Sequence, residues 1–303
     1  MPLLETTLND EHDVEIFYRR WLPESDDPRS VVLVLHGMSE HSGRYARFAE
    51  ALVADGHAVY ALDHRGFGRT SAVTGMGKTG PGGFDGVLGS IRSLQETASD
   101  EFPGLPVVVF GHSMGSMFTQ AYVQGRDDLA GFILSGSATA TPELGELVTG
   151  IEAIVEAGAG DEPLDALGGF NEAFAPARTD YDWLSRDPDE VDKYIADPMC
   201  GDGNPVTASF VGGMLGLLQQ ASSPDAIATI ADGTPVLLVT GEADPVSNGG
   251  EGVRALEQQY RDAGLDVTAY YYPEARHELL NEVNRDEVTA DIVRWLDELV
   301  NAS

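Results

Sequence analysis

A run of four apolar residues leads directly into a serine that is flanked by glycines. The run is Val107-Val108-Val109-Phe110, and the pentapeptide Gly111-His112-Ser113-Met114-Gly115 follows it without a gap. A short continuous apolar run is typical of a strand buried on both faces, and the next stretch, Met114–Gln124, predicts a helix. A strand, a glycine-flanked serine and a helix in succession predict a sharp turn that exposes Ser113 at the carboxyl edge of a sheet.

Further apolar runs alternate with amphipathic stretches along the chain. The predicted buried strands are Ser30–Leu35, Ala58–Leu62, Leu129–Leu134, Pro235–Gly241 and Val267–Tyr272, and the predicted helices are Arg44–Asp55, Val87–Glu101, Val253–Ala263 and Val288–Val300. Val14–Leu22 alternates apolar and polar side chains and is predicted to be an edge strand, followed by a turn at Pro23–Arg29. This pattern predicts an α/β fold with a mostly parallel, doubly wound sheet covered by helices.

The strand rhythm stops between residues 140 and 232. Helical stretches at Leu144–Ala157, Glu190–Ile195 and Phe210–Ala221 are broken there by glycine and proline. We therefore expect one core formed by residues 1–139 and 233–303, with residues 140–232 inserted as a helical cap. The apolar side chains of this segment either pack the cap onto the core or form an acyl-binding wall, for which the candidates are Phe174, Phe210, Met214 and Leu218.

A serine hydroxyl is a weak nucleophile at neutral pH, so it needs a base within hydrogen-bond reach and a carboxylate that orients this base. Of the seven histidines, His277 lies beyond the last predicted strand, and Asp244 follows the strand before it. The order Ser113, Asp244, His277 is the order expected for a serine at such a turn. Asp63, which also ends a strand, is the alternative acid. The remaining histidines near predicted strand ends are expected to hydrogen-bond loop backbone, and they are His36, His41, His64 and His112.

Acyl transfer also needs two backbone N–H donors for the oxyanion that develops at the attacked carbonyl. Met114 follows the serine at the start of a predicted helix and supplies one donor. Met38 follows His36-Gly37, in the loop after the strand Ser30–Leu35, and is expected to supply the other.

Charge and composition argue against several functions. The formal net charge of −32, from 50 acidic and 18 basic residues, should repel nucleic acid and anionic membranes. This acidity suits a solubilising surface, or adaptation to high salt, better than a calcium site. The single cysteine, Cys200, excludes an intramolecular disulfide and is predicted to be a buried thiol. Gly75–Gly80 lacks the spacing of a phosphate loop, and no metal or cofactor is assigned.

The location is predicted from the absence of two signals. The amino terminus, Met1–Glu5, has neither the positive start nor the apolar stretch of a signal peptide. No apolar run approaches the roughly 18 to 20 residues that span a bilayer. We expect a cytoplasmic protein that acts on a small molecule, with transient contact with a lipid surface as an option and the oligomeric state left open.

Several segments resemble one family of hydrolases. The ten residues His36–Tyr45 are similar to the oxyanion-loop segment of monoacylglycerol lipases and related bacterial lysophospholipase-like hydrolases, and other stretches that resemble this family are Asp63–Thr70, Gly111–Gly115, Gly241–Val246, and Asp182–Asp187 with Asp197-Pro198. The resemblance implies the α/β-hydrolase fold, a catalytic triad of Ser113, Asp244 and His277, and oxyanion donors at Met38 and Met114.

The resemblance also implies the substrate class. It indicates a serine esterase that cleaves a monoacyl lipid ester, either a monoacylglycerol or a lysophospholipid. The alternatives are a broad-specificity carboxylesterase for short esters, an aminopeptidase-type amide hydrolase, which is less favoured, and a non-catalytic binding module built on the same scaffold.

Overall fold

Eight strands form a single sheet in the computed structural model, which describes residues 3–25 and 27–302. The strands are β1 Leu3–Asn9, β2 Glu15–Trp21, β3 Ser30–Leu35, β4 His57–Leu62, β5 Val107–His112, β6 Gly131–Ser135, β7 Pro235–Gly241 and β8 Asp266–Tyr272. Their spatial order is β1-β2-β4-β3-β5-β6-β7-β8. The pairs β1–β2 and β2–β4 are antiparallel and the other five pairs are parallel, which confirms the predicted mostly parallel α/β sheet.

The prediction of an edge strand at Val14–Leu22 is wrong. This strand, β2, lies between β1 and β4, and β1 occupies the edge and forms a hairpin with β2. The sequence does not predict β1, because Leu3–Asn9 lies at the edge of the sheet with most of its side chains exposed. It therefore lacks the continuous apolar run that indicates a buried strand. Met1, Pro2, Asp26 in the predicted turn and Ser303 lie outside the described residues.

Helices cover both faces of the sheet. Those of the core are α1 Ala46–Ala54, α2 Ser71–Thr74, α3 Gly83–Glu101, α4 Met114–Tyr122, α9 Glu251–Asp262 and α10 Arg285–Ala302. Successive strand side chains point to opposite faces. One set packs against α1 and α10, and the other packs against α3, α4 and α9. The apolar strands are therefore buried on both sides, as their continuous apolar runs predict.

The segment between β6 and β7 carries helices and no strand of the main sheet. It contains α5 Pro142–Ile154, which continues as a π-helical turn at Val155–Ala159, and then α6 Pro188–Ala196, α7 Ala208–Ala221 and α8 Pro224–Ile227. Helix α7 packs against both α4 and α5, so the segment lies over the helix that follows Ser113. The division at residues 140 and 232 and the role of this segment as a cap stay predictions.

No helix within the described residues is long and apolar enough to cross a membrane.

Candidate active site

Ser113 lies in a strained turn between β5 and α4. Its φ of 50° and ψ of −118° are unusual for a residue with a side chain, and its N–H donates to Ser135 O at 2.9 Å. Both flanking glycines are required by space. A Cβ on Gly111 would overlap the carbonyl of Gly115, and a Cβ on Gly115 would overlap the carbonyl of Leu35 in the neighbouring strand. The turn therefore forces Ser113 out at the carboxyl edge of the sheet.

His277 and Asp244 meet at the same edge. His277 lies in the loop after β8 and Asp244 in the loop after β7, and both side chains are buried. Nδ1 of His277 is 3.0 Å from Oδ1 of Asp244. The His277 ring also lies 4.8 Å from that of His112, the residue before Ser113, measured between ring centroids. The structure thus brings His277 and Asp244 together beside the turn that carries Ser113, and within the described residues no hydrogen bond joins Ser113 to His277.

The surroundings of His277 favour its protonated form. Burial is the largest effect and disfavours the imidazolium. The charge and hydrogen bond of Asp244, together with the charges of Glu278 and Glu40, outweigh it and raise the pKa of His277 above its ordinary value. A base that gains stability as it takes a proton is suited to remove one from a serine hydroxyl.

The predicted oxyanion donors are the backbone amides of Met114 and Met38. Met114 begins α4, and the first N–H groups of a helix have no intrahelical acceptor. Met38 follows Gly37 in the loop after β3, and its N–H has no hydrogen-bond partner among the described residues. Both residues line the same cavity as Ser113. The loop is held by Glu40, whose Oε1 accepts the N–H of Gly37 at 2.5 Å.

Glu40 belongs to a buried ionic cluster that sequence reasoning assigns no role. Its Oε1 also accepts the hydroxyl of Tyr45 at 2.7 Å, and its Oε2 accepts from Arg44 at 2.8 Å. The guanidinium of Arg44 extends to both carboxylate oxygens of Glu278, the residue after His277. Burial opposes ionisation of Glu40, but Arg44 and nearby histidines lower its pKa to about 2. The cluster joins the loop of Gly37 to the loop of His277.

The alternative acid, Asp63, braces a loop instead of meeting His277. Its Oδ1 accepts from the backbone of Ser42 at 2.9 Å, and its Oδ2 accepts from the backbone of Arg69 at 2.8 Å. His36 bonds loop backbone as predicted, because its Nδ1 lies 2.7 Å from Gly37 O and its Nε2 accepts the N–H of His64 at 2.9 Å.

A cavity of about 570 Å³ opens beside Ser113. Its wall is largely apolar and combines residues of α4, α5, α7 and the loops between them; beyond Met38, Ser113 and Met114 it includes Met117, Leu147, Ile151, Ile154, Leu164, Leu167, Phe170, Trp183, Val211, Met214, Leu215 and Val246. An apolar cavity of this size beside a nucleophile is the usual form of a small-molecule site.

Only one of the four residues predicted to bind substrate lies on this wall. Met214 lines the cavity. Phe210 and Leu218, one turn away on either side in α7, are buried in the core instead. Phe174 lies under the guanidinium of Arg276, 4.2 Å from it, and packs in a separate apolar cluster. The apolar pattern of α7 does not separate the face toward the core from the face toward the cavity.

Sequence reasoning does not identify Trp183 as part of the wall. The rings of Trp183 and Phe170 contact each other at a tilt of 50°, with their centroids 5.0 Å apart. Trp183 also lies 5.0 Å from His277. The signal was present in part, because Trp183 falls within Asp182–Asp187, one of the segments that carry the family resemblance.

Two clusters in the described residues have side chains of metal-ligating types. In the first, His41, Asp197 and Cys200 approach one another. His41 Nδ1 accepts the N–H of Gly43 at 3.1 Å, so Nε2 carries the proton that it donates to Asp197. This tautomer presents no lone pair to a metal. Burial raises the pKa of the Cys200 thiol, which fits the predicted buried thiol and disfavours a thiolate ligand.

In the second cluster, an arginine side chain already neutralises the carboxylates. Asp55, His57 and Asp297 approach one another at the opposite edge of the sheet. Nη1 of Arg29 lies 3.3 Å from Asp55 and 2.6 Å from Asp297, and thereby neutralises both carboxylates. Neither cluster supports assigning a metal to the reaction.

The fold and the geometry around Ser113 define a serine hydrolase of the α/β-hydrolase fold. A family model described as serine aminopeptidase, S33, matches residues 26–284, and the chain belongs to this family. Over 287 residues it is 34% identical to a monoacylglycerol lipase of Mycolicibacterium smegmatis, and the alignment covers 93% of each chain. These findings confirm the resemblance that His36–Tyr45 carries.

Solved structures agree with this assignment. A thermostable carboxyl esterase from Bacillus coagulans has a TM-score of 0.91 at 27% identity, and the match covers 99% of both chains. A monoacylglycerol lipase of Paleococcus ferrophilus has a TM-score of 0.71 at 27% identity, over 95% of this chain and 100% of that one. The chain is therefore a serine ester hydrolase.

Proposed function

We propose that this enzyme cleaves monoacyl lipid esters through an acyl-enzyme on Ser113. His277 takes the proton of the Ser113 hydroxyl as the oxygen attacks the ester carbonyl, and Asp244 orients the ring and stabilises the imidazolium. The N–H groups of Met38 and Met114 stabilise the oxyanion. His277 then gives its proton to the departing alcohol, and a water that it activates releases the fatty acid and restores the serine.

The observation that carries the substrate class is the cavity beside Ser113. Its volume of about 570 Å³ and its wall of aliphatic and aromatic side chains suit an apolar acyl chain. The relatives support the same class, because the protein of Mycolicibacterium smegmatis that covers 93% of this chain is a monoacylglycerol lipase. A monoacylglycerol or a lysophospholipid fits this requirement.

A broad carboxylesterase for short esters is the second candidate. It is favoured by the likeness to the carboxyl esterase of Bacillus coagulans, at a TM-score of 0.91. The two candidates differ in how rate depends on acyl length, because only a chain that fills the cavity gains from burying apolar surface there.

The cytoplasmic location and the transient contact with a lipid surface belong to the same proposal. Leu147 and Ile154 line the cavity and are partly exposed on α5, and this supports entry of an apolar substrate from that side.

The test compares initial rates on p-nitrophenyl esters of increasing chain length, a monoacylglycerol and lysophosphatidylcholine. We expect kcat/KM to rise with chain length and Ser113→Ala to lose activity by roughly 10⁴-fold or more. Ser25→Ala, at an exposed serine between β2 and β3, is the matched control and should keep full activity. A profile that peaks at acetate would favour the second candidate, and hydrolysis that persists in Ser113→Ala would remove the serine mechanism.

A further inference from the structure

The ring of His277 contacts two other aromatic rings. The centroid of the Trp183 ring system lies 5.0 Å away at an interplanar angle of 38°, and that of His112 lies 4.8 Å away at 47°. We call these three residues the aromatic cluster. Neither neighbour belongs to the triad, and the mechanism above gives neither a role.

The backbone fixes Trp183 against the loop of His277. The N–H of His277 donates to Trp183 O at 3.4 Å, and the N–H of Glu278 donates to Leu184 O at 2.7 Å. Arg276 Nη1 adds bonds to Asp182 O and Ser185 O. A segment of the insertion is thus tied to three successive residues of the loop, so the indole moves with the imidazole.

The second neighbour is held neutral. Burial, with a further contribution from the nearby His277, lowers the pKa of His112 to about 4. At neutral pH this ring therefore adds no positive charge beside His277. An uncharged imidazole leaves the imidazolium of His277 without a like-charged ring in contact.

An indole at this position lowers the stability of the folded chain in one respect. The Nε1 of Trp183 is buried and has no hydrogen-bond acceptor among the described residues. A buried donor without an acceptor destabilises the folded chain, and a phenyl ring would fill much of the same space without that donor. What an indole supplies beyond a phenyl is a more electron-rich face, which attracts a cation within about 6 Å.

We propose that Trp183 and His112 are positioning residues for acyl transfer. Both rings contact the His277 ring and fix its orientation, and the indole face stabilises the imidazolium that forms when His277 takes the Ser113 proton. This role rests on the proposed function of Ser113 and His277. The attraction exists only while His277 is charged, so it lowers the barrier to proton transfer without tightening the binding of substrate.

The test is the pH dependence of kcat/KM for p-nitrophenyl butyrate, whose acid limb reports the pKa of the base in the free enzyme. The other charged or titratable groups around His277 are unchanged by the variants, and they are Asp244, Glu278, Glu40, Arg44 and His112. We expect Trp183→Leu to shift the acid limb down by roughly half a pH unit to one unit and to lower kcat by roughly 3- to 10-fold. Trp183→Phe should give a smaller shift in the same direction.

The matched control is Phe170→Leu. Phe170 lines the same cavity and contacts Trp183 but not His277, so its loss should change KM while it leaves the acid limb in place. Trp183→Phe keeps an aromatic ring and removes the unpartnered donor, so it should be better tolerated than Trp183→Leu and keeps the test valid if Trp183→Leu does not fold.

An acid limb that stays in place or moves upward in both Trp183 variants overturns the inference. If Ser113→Ala is inactive in the same assays, only the role of Trp183 has failed. If Ser113→Ala keeps its activity, the proposed function itself has failed.

Discussion

The buried carboxylate of Glu40 offers a direct measurement of how strongly the ionic cluster stabilises the fold. The perturbation is Glu40→Gln, which keeps the shape of the side chain and removes its charge. In the parent protein Glu40 accepts from the N–H of Gly37 at 2.5 Å, the hydroxyl of Tyr45 at 2.7 Å and Arg44 at 2.8 Å. The amide can still accept one of these bonds, but it turns an N–H₂ group toward another donor.

The magnitude follows from the pKa of Glu40, which lies at about 2 instead of 4.5. Each pKa unit between the folded and unfolded chain corresponds to about 1.4 kcal/mol, so ionised Glu40 stabilises the fold by at most about 3 kcal/mol at neutral pH, where His112 and His36 are uncharged. Because the pKa is lowered by folding, this stabilisation is complete above pH 4.5 and is lost as the pH falls toward 2.

The assay is urea denaturation of the parent protein and Glu40→Gln at a series of pH values from 7 to 3. At pH 7 the variant should be less stable by up to about 3 kcal/mol, which for a chain of this size lowers the melting temperature by up to roughly 6 °C. The difference between the two proteins should shrink below pH 4.5. Carboxylates that do not share Arg44 with Glu40 titrate alike in both proteins and cancel from the difference.

Tyr45→Phe is the control, because it removes one hydrogen bond to the same carboxylate and no charge. It should cost about 1 kcal/mol at neutral pH, and because this hydrogen bond helps to lower the pKa of Glu40, its cost should fall with pH in the same direction as that of Glu40→Gln but by less. A difference for Glu40→Gln that is equally large at pH 7 and pH 3 would refute the reasoning, since a packing defect is independent of pH.

Two further predictions concern the cavity and the surface. Met214→Asp should raise KM for long-chain esters more than for acetate esters, because Met214 lines the cavity. Leu218→Ala should instead lower stability by about 2 to 5 kcal/mol with an unchanged chain-length profile, because Leu218 is buried in the core. Equal effects of Met214→Asp on both esters would show that Met214 does not contact the acyl chain. With a net charge of −32, the melting temperature should rise as KCl is added, because salt screens the repulsion among the carboxylates; a melting temperature that does not rise counts against adaptation to salt.

The positions of Ser113, Asp244 and His277 were predictable because of a property of parallel sheets. Residues that follow parallel strands emerge at one edge, so the loops after β5, β7 and β8 lie at the same edge although more than a hundred residues separate Ser113 from Asp244 and His277. The apolar runs of these strands are visible in the sequence because both faces are buried. β1 was not predicted in this way, because most of its side chains are exposed at the edge of the sheet.

The wall of the cavity was less predictable, for two physical reasons. Helix α7 is buried on several sides, so its periodicity does not tell whether Phe210, Met214 or Leu218 faces the substrate. Trp183 and Phe170 come from a segment with little regular structure. Their places depend on contacts with the distant loop of His277, such as the bond from its N–H to Trp183 O, and no local pattern encodes such a contact.

The ionic cluster shows why the loops of the site were the hardest part to derive. Arg44 and Glu278 are 234 residues apart in the chain, yet the guanidinium bonds both carboxylate oxygens of Glu278 and one of Glu40. Glu278 follows the base directly, and Glu40 holds the N–H of Gly37 beside Met38. The guanidinium of Arg44 therefore sets the spacing between the loop of His277 and the loop of Met38. Because removing one partner of a buried ion pair leaves an uncompensated charge, these two loops cannot be displaced independently at low cost.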